Sequence, residues 1–338
     1  MHNNSIEKII QDNCTLIKTT NEILSFNEIQ KFNSFVDTLI NERHIAKILF
    51  RGDNFSNVKL KLKLNSDNEY QTFNQFLFLI GEKGRVYRDK YKREILDKSK
   101  IYPIDSTNRE IFASIFKKLN QLFKKHLEKY EVAKCKENNS SFYHYFSDNR
   151  NKDKFLSIVS EIRDKNSKIK IRDYYLWLLH KIGQVGFYNN SFLLSTTTNY
   201  NIAVEFSYNA EHSERLIFIC WIPYPLRKSA ISINYINQSR KTISKLNLPI
   251  YNRPFYMNQN EISLKGGILP HFILGYLKYS TKDFIINPNL FTDNRNPSEI
   301  IKDGFKIDQS GFHKALNKTD YSGYFYIDHD RKISDCNI

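Results

Sequence analysis

The sequence predicts a single α+β domain. Three observations point there. Helical spacing with capping boxes dominates up to about residue 190, short bounded apolar segments follow, and no linker divides the two regions. With 338 residues, 41% hydrophobic and 14% aromatic, the chain has ample material for a packed core. Residues 1–338 read as one domain: a helical N-terminal portion (1–45), a helical, basic insert (55–190), a strand-rich part (191–280) and a C-terminal extension (281–338).

The elements follow in order. Ser25 and Glu28 form a capping box ahead of Ile29, Phe32, Phe35, Val36, Leu39 and Ile40, which recur on one helical face. Residues 46–50 read as a short apolar strand that delivers Arg51 to its end, with Gly52 and Asn54 marking a turn. Within the insert, Thr107 and Glu110 form a second box before Ile111, Ile115, Leu119, Leu122 and Phe123. The polar run 135–141 reads as a loop. Phe155, Ile158, Val159 and Ile162 suggest one further helix, and residues 174–182 another.

From residue 192 the pattern changes to strands, at 192–196, 216–222, 262–264 and 272–277. Asn199 is placed to cap a short helix that buries Ala203, Val204 and Phe206. Residues 324–327 read as an edge strand.

Composition narrows the function classes. No long uncharged apolar run exists to span a membrane, and residues 1–13 lack the apolar region of a signal peptide, so a cytoplasmic protein is expected. Cys14, Cys135, Cys220 and Cys336 stand apart and read as reduced structural thiols, without a disulfide frame or zinc site. His144, His180 and His271 lack metal-ligand spacing, so no metal is expected. The absence of a G-x-G-x-x-G after a strand, and of a Walker A sequence, excludes Rossmann and P-loop readings.

The formal net charge is +15, from 51 Lys and Arg against 36 acidic residues, and it favours nucleic acid or an acidic partner. Richness in Lys, Asn, Ile, Phe and Tyr together also fits a coding bias that adds lysines without a ligand. Arg85, Tyr87, Arg88, Lys90, Tyr91, Lys92 and Arg93 interleave cations with aromatics, which suits phosphate contacts and base stacking. The same run also suits a solvated helix with its tyrosines turned inward. Residues 81–84, Gly-Glu-Lys-Gly, have the outline of a nucleic-acid-clamping GXXG loop, but the acidic residue favours a plain turn.

Three distant stretches carry reactive residues: Phe50-Arg51-Gly52, Ser195-Thr196-Thr197 and Gln259-Asn260-Glu261. Strand alternation puts Gln259, Glu261 and Ser263 on one side, and Ser195 with Thr197 on one side. Arg51 lies opposite Phe50. Brought together, they are expected to present a guanidinium, a hydroxyl and a carboxylate on one face. Singly, each has a structural reading: a surface salt bridge, strand propensity, a solvated strand face.

Jointly, in this order and with these flanks, they resemble the R-S-E class of ADP-ribosyltransferases, in its toxin-like branch. Residues 192–197, Phe-Leu-Leu-Ser-Thr-Thr, followed by a helix with Ala203 and Phe206, are similar to that family's strand-and-helix unit. Residues 259–264, Gln-Asn-Glu-Ile-Ser-Leu, then Gly267 and Ile268, resemble its catalytic strand. Phe50-Arg51-Gly52 also looks like the FRG-type domains of bacterial defence proteins. The resemblance spans roughly residues 46–280, although only these three patches are specific. Thr197 replaces the usual last serine of the Ser-Thr-Ser motif but keeps a hydroxyl. Gln259, two before the glutamate, is a variant associated with targets other than arginine.

The resemblance implies a split-sheet core and NAD as co-substrate, without a metal. Glu261, Gln259, Ser195 and Arg51 become the catalytic set. Arg51, Gly52, Ser195, Thr196, Thr197 and Phe206 would hold the dinucleotide, with the Arg51 fork on its pyrophosphate. Tyr256, Gln259, Arg85 and Arg88 would meet the acceptor, RNA ahead of protein. A toxin of phage-defence type implies a neutralising antitoxin partner. The alternatives are a protein-modifying transferase, an NAD glycohydrolase and a non-catalytic FRG-type binding module.

Overall fold

The computed structural model describes residues 14–62, 69–82, 107–125, 130–188, 193–208, 213–226, 230–252 and 259–308, with a few isolated positions besides. Their elements run β1 (Thr15–Ile17), α1 (Phe26–Asn41), β2 (Ala46–Asn54), α2 (Phe55–Leu62), α3 (Glu69–Ile80), α4 (Arg109–Lys125), α5 (Tyr130–Asn138), α6 (Ser140–Ser147), α7 (Asn151–Glu161) and α8 (Lys165–Tyr188). Then come β3 (Leu193–Thr197), α9 (Tyr200–Ser207), β4 (Arg215–Pro223), β5 (Ala230–Ser232), α10 (Ile233–Lys245), β6 (Glu261–Lys265), β7 (Ile273–Lys278), β8 (Asp283–Ile286), α11 (Asn289–Thr292) and α12 (Pro297–Asp303). A separate short antiparallel pair joins β9 (Tyr326–Ile327) and β10 (Ile333–Ser334).

The fold is mixed α and β around one eight-stranded sheet, ordered β1-β8-β7-β4-β2-β3-β6-β5. The β1–β8 pair is parallel and the other pairs are antiparallel. β2 pairs with β4 along its whole length, from Ala46↔Pro223 to Asn54↔Arg215. Against β3 it makes a single register pair, Phe50↔Thr197. The sheet therefore has a seam, with β1-β8-β7-β4-β2 on one side and β3-β6-β5 on the other.

Alternation sorts the core into layers. On one face, Phe50, Ile217, Ile219 and Trp221 pack under α1, α9 and α12. On the same face beyond the seam, Leu193 and Ile231 meet the aromatic-rich bundle of α4 to α8 and α10. The opposite face carries Leu49, Phe218 and Cys220 together with Leu194, Ile262 and Leu264, and α2 and α3 cover both halves there. Burial pushes the Cys135 thiol up to about 12, and it raises Cys220 as well, so neither is a reactive thiolate.

Several expectations need correction. Residues 135–141 are not a loop: α5 and α6 meet at Asn139, and Cys135 is fully buried, so a polar stretch hides two amphipathic helices. β2 runs on to Asn54, so Gly52 and Asn54 lie in a strand rather than a turn. Gly52 serves close packing there, because an added Cβ would fall 1.6 Å from the Ala203 carbonyl oxygen. The capping box at Ser25 and Glu28 is present. At α4, the Asn108 side chain accepts from the Ile111 N–H in the capping position expected of Thr107. Asn199 caps α9 through the Asn201 N–H. Ala203 is buried, but Phe206 is 57% exposed, because Ala203 and Ser207, four residues apart, form the buried side of α9 and Phe206 lies off it.

Candidate active site

β3 and β6 place the hydroxyl and the carboxylate together. Their register sets Ser195 opposite Ser263 and Thr197 opposite Glu261, and facing residues of an antiparallel pair share a sheet face. Glu261 lies diagonally across from Ser195, and the Ser195 Oγ donates to Glu261 Oε1 at 2.8 Å. Ser263, two residues along the same strand, donates to the same oxygen at 2.9 Å. The carboxylate is held from both sides, with its side chain only 13% exposed.

Helix α8 closes over this pair. Lys181 Nζ forms an ion pair with Glu261 Oε2. His180 Nε2 lies 2.8 Å from Ser195 Oγ and 3.9 Å from Glu261 Oε1. A hydroxyl has one proton, and Ser195 gives it to Glu261. The Ser195 oxygen then accepts from His180 Nε2–H.

Eight residues back on α8, Asp173 accepts from Lys265 Nζ at 2.7 Å, and Arg172 lies against the other Asp173 oxygen at 2.6 Å. Burial alone would raise the Asp173 carboxyl, but Arg172 and then Lys265 outweigh it and hold it below its ordinary value.

Arg51 does not join this face. Phe50 is paired with Thr197 and shares its face, so Arg51 projects to the other side of the sheet. There its Nε donates to Glu82 at 2.6 Å, one terminal nitrogen binds Asp53, and the other donates to the Ser195 backbone carbonyl at 2.9 Å. Burial would lower its pKa, yet Glu82 and Asp53 together carry it above the ordinary guanidinium range. With its three nitrogens engaged by Glu82, Asp53 and the Ser195 carbonyl, the guanidinium is not presented to a pyrophosphate on the Ser195–Glu261 face. The expectation of three groups on one face is corrected accordingly. Arg51 joins β2, the backbone of β3 and the segment after α3, where Glu82 bridges to Ile268.

The remaining residues divide. Thr196 Oγ1 donates to the Ile262 carbonyl and Thr197 Oγ1 to the Gln259 carbonyl, so both fasten β3 to β6 through side chains. Gln259 is half-buried just outside β6. Asn260 has φ of 46°, which breaks the alternation expected to align Gln259 with Glu261. Phe206 and Gly52 lie on α9 and β2, beside the seam. Tyr256, Arg85 and Arg88 lie outside the described residues.

Sequence reasoning missed Lys181, the role of His180, and the Arg51 partners Glu82 and Asp53. One signal was available: His180-Lys181 interrupts an otherwise apolar stretch of α8, where a cation needs a partner.

Among the described residues, no three His, Cys, Asp or Glu side chains are grouped to hold a metal, and no helix is long and apolar enough to cross a membrane. A cavity of about 330 Å³ lies elsewhere, lined by Thr19, Asn74, Phe78 and Asn289 among others, and takes no residue from this site. Comparison with protein-family models, curated proteins and solved structures finds no match to this chain.

Proposed function

We propose that this protein is an NAD-dependent mono-ADP-ribosyltransferase of the R-S-E kind, built on a split sheet, with Glu261 as its catalytic carboxylate. One observation carries the reading. Ser195 and Glu261, 66 residues apart in sequence, meet at 2.8 Å beside the seam, on the face lying between α8 and α9.

The donor set suits an ADP-ribosyl donor. Nicotinamide departs as a neutral base, so no acid is needed to protonate it. The site must instead favour positive charge growing on the ribose. Glu261 accepts a hydrogen bond from the ribose 2′-hydroxyl and sets negative charge beside that carbon, a contact that strengthens as the bond breaks. Ser195 and Ser263 fix the carboxylate rotamer, and His180 fixes Ser195. Gln259, at the entrance of β6, orients the incoming nucleophile. Exposed Phe206 offers a ring for stacking. In this reading Arg51 shapes the strand carrying Ser195 and does not grip phosphate.

The proposed acceptor is nucleic acid, RNA ahead of protein. The net charge of +15 favours it. So does a cation–aromatic cluster in which Arg215 lies 4.1 Å from the Tyr279 ring centroid and 5.6 Å from that of Tyr208, with Lys282 over Tyr279. A cytoplasmic site of action and a neutralising protein partner belong to the same proposal.

The test is incubation with NAD labelled in its adenylate part, in the presence of cell lysate. Label entering nuclease-sensitive material, and lost in Glu261→Gln, is the expected result. Label that resists nuclease and is lost to protease would move the acceptor to protein. Nicotinamide release without labelled macromolecule would indicate a glycohydrolase. No NAD consumption, with Glu261→Gln retaining full biological activity, would leave a binding module.

A further inference from the structure

The geometry points to Lys181, not Arg51, as the cation that receives the substrate's pyrophosphate, by exchanging Glu261 for it. The inference rests on the proposed function and assigns a residue that the sequence motifs leave out.

The argument is one of charge. Lys181 Nζ sits on Glu261 Oε2, and its side chain is only 6% exposed. A carboxylate paired with an ammonium is a net neutral group. It lends little stabilisation to a cation forming on the ribose, and the ammonium repels the pyridinium of the incoming substrate. The ion pair must therefore open before Glu261 can work.

An ammonium taken from its partner in a buried site needs another anion. Among the described residues, Glu82 and Asp53 are committed to Arg51 on the opposite face, and Asp173 is committed to Arg172 and Lys265. The anion that arrives with the substrate is its pyrophosphate. Lysine suits the exchange, because its compact charge rides on a flexible four-carbon stem, whereas the Arg51 fork is fixed by three bonds. The substrate's phosphates would thus unlock the catalytic carboxylate. A nucleoside that lacks them would leave Lys181 in place and react slowly.

Two readouts test this, comparing wild type with Lys181→Met and Lys181→Arg, each first checked for a native thermal transition. The first is calorimetric titration with ADP-ribose, which carries the pyrophosphate without nicotinamide. Lys181→Met should bind at least about tenfold more weakly than wild type, the worth of one charge-assisted hydrogen bond, and Lys181→Arg should bind within about threefold of it. The second is the ratio of kcat/KM for NAD to that for nicotinamide riboside. Lys181→Met should lower it about tenfold or more, because it both removes the phosphate partner and frees Glu261 for the phosphate-free substrate.

Equal ADP-ribose affinity and an unchanged ratio in Lys181→Met would overturn the assignment. If wild type cleaves NAD, Glu261→Gln does not, and the ratio is unmoved, the proposed function stands and this inference alone falls. If wild type does not cleave NAD, both fall. Should Lys181→Met fail to fold, Lys181→Gln takes its place with the same expectations.

Discussion

Asp173 and Lys265 meet at 2.7 Å between α8 and β6, and two turns further along the same helix Lys181 meets Glu261 at the other end of the same strand. The spacings agree: eight helical residues rise about 12 Å, and four strand residues span about 13 Å. The two pairs have opposite polarity. Laying α8 the other way round would set Asp173 against Glu261 and Lys181 against Lys265. The ion pairs thus select one direction of the helix over the strand, which brings His180 to Ser195.

Removing one member of this inner cluster is expected to have unequal effects. Asp173→Asn takes away the carboxylate that both Arg172 and Lys265 bind. It should cost about 3–5 kcal/mol, the usual loss on breaking a buried pair. Lys265→Met still leaves Asp173 with Arg172 and should cost clearly less. Urea midpoints for the two variants decide the matter, and equal losses would count against the cluster as described.

Gly52→Ala tests the contact of α9 with β2. The new Cβ would meet the Ala203 carbonyl at 1.6 Å and the Ser207 backbone nitrogen at 2.7 Å, so the helix must move. A stability loss of about 1–3 kcal/mol or more is expected, as for other overpacked interiors. Activity should fall with it, since α9 borders the seam. Differential scanning calorimetry beside an NAD-turnover assay would show both, and an unchanged transition would contradict the packing.

Arg51→Lys separates a structural role from phosphate binding. An ammonium cannot reproduce the fork that reaches Glu82, Asp53 and the Ser195 carbonyl at once. The expected outcome is a lower thermal midpoint, from a loss of about 1–3 kcal/mol on leaving buried acceptors poorly met. A variant that melts like wild type but binds ADP-ribose poorly would return Arg51 to the ligand.

Acid sensitivity is expected at Asp293. Burial alone would raise its pKa. Hydrogen bonds from the Arg295 side chain and from the Lys306 and Arg295 backbone N–H groups instead bring it down to about 2. A depressed carboxyl contributes stability above its unfolded value, near 3.9, and loses it as pH falls through the folded value. Asp293→Asn should therefore be less stable than wild type at pH 7, with the gap closing from about pH 4 to about pH 2. Parallel denaturation curves across that range provide the check, and a gap independent of pH would refute it.

What was legible in the sequence depends on local pattern. Alternation put Ser195 with Thr197, and Glu261 with Ser263, each pair on one side of its own strand; that the two strands pair came from the register of β3 on β6. The helix carrying Phe32, Phe35 and Leu39 follows from spacing and a capping box. Arg51 was misplaced for a non-local reason: its face depends on how β2 registers against β3, and one pair, Phe50 with Thr197, sets that. The kink at Asn260 cannot be read from residue types alone. Glu82 looked like an ordinary loop acid, because its burial arises from a bridge to Ile268, 186 positions along. Lys181 looked like a stray cation in a greasy helix until its partner came from β6.

The seam has a mechanical consequence. Each half of the sheet keeps its own hydrogen-bond ladder, and a lone residue pair links the halves along their backbones. A slight rotation of one half against the other would move β6, with Glu261, relative to β2 while leaving the hydrogen-bond ladder of each half intact. Any such give would fall next to Ser195 and Glu261, where the two ladders join.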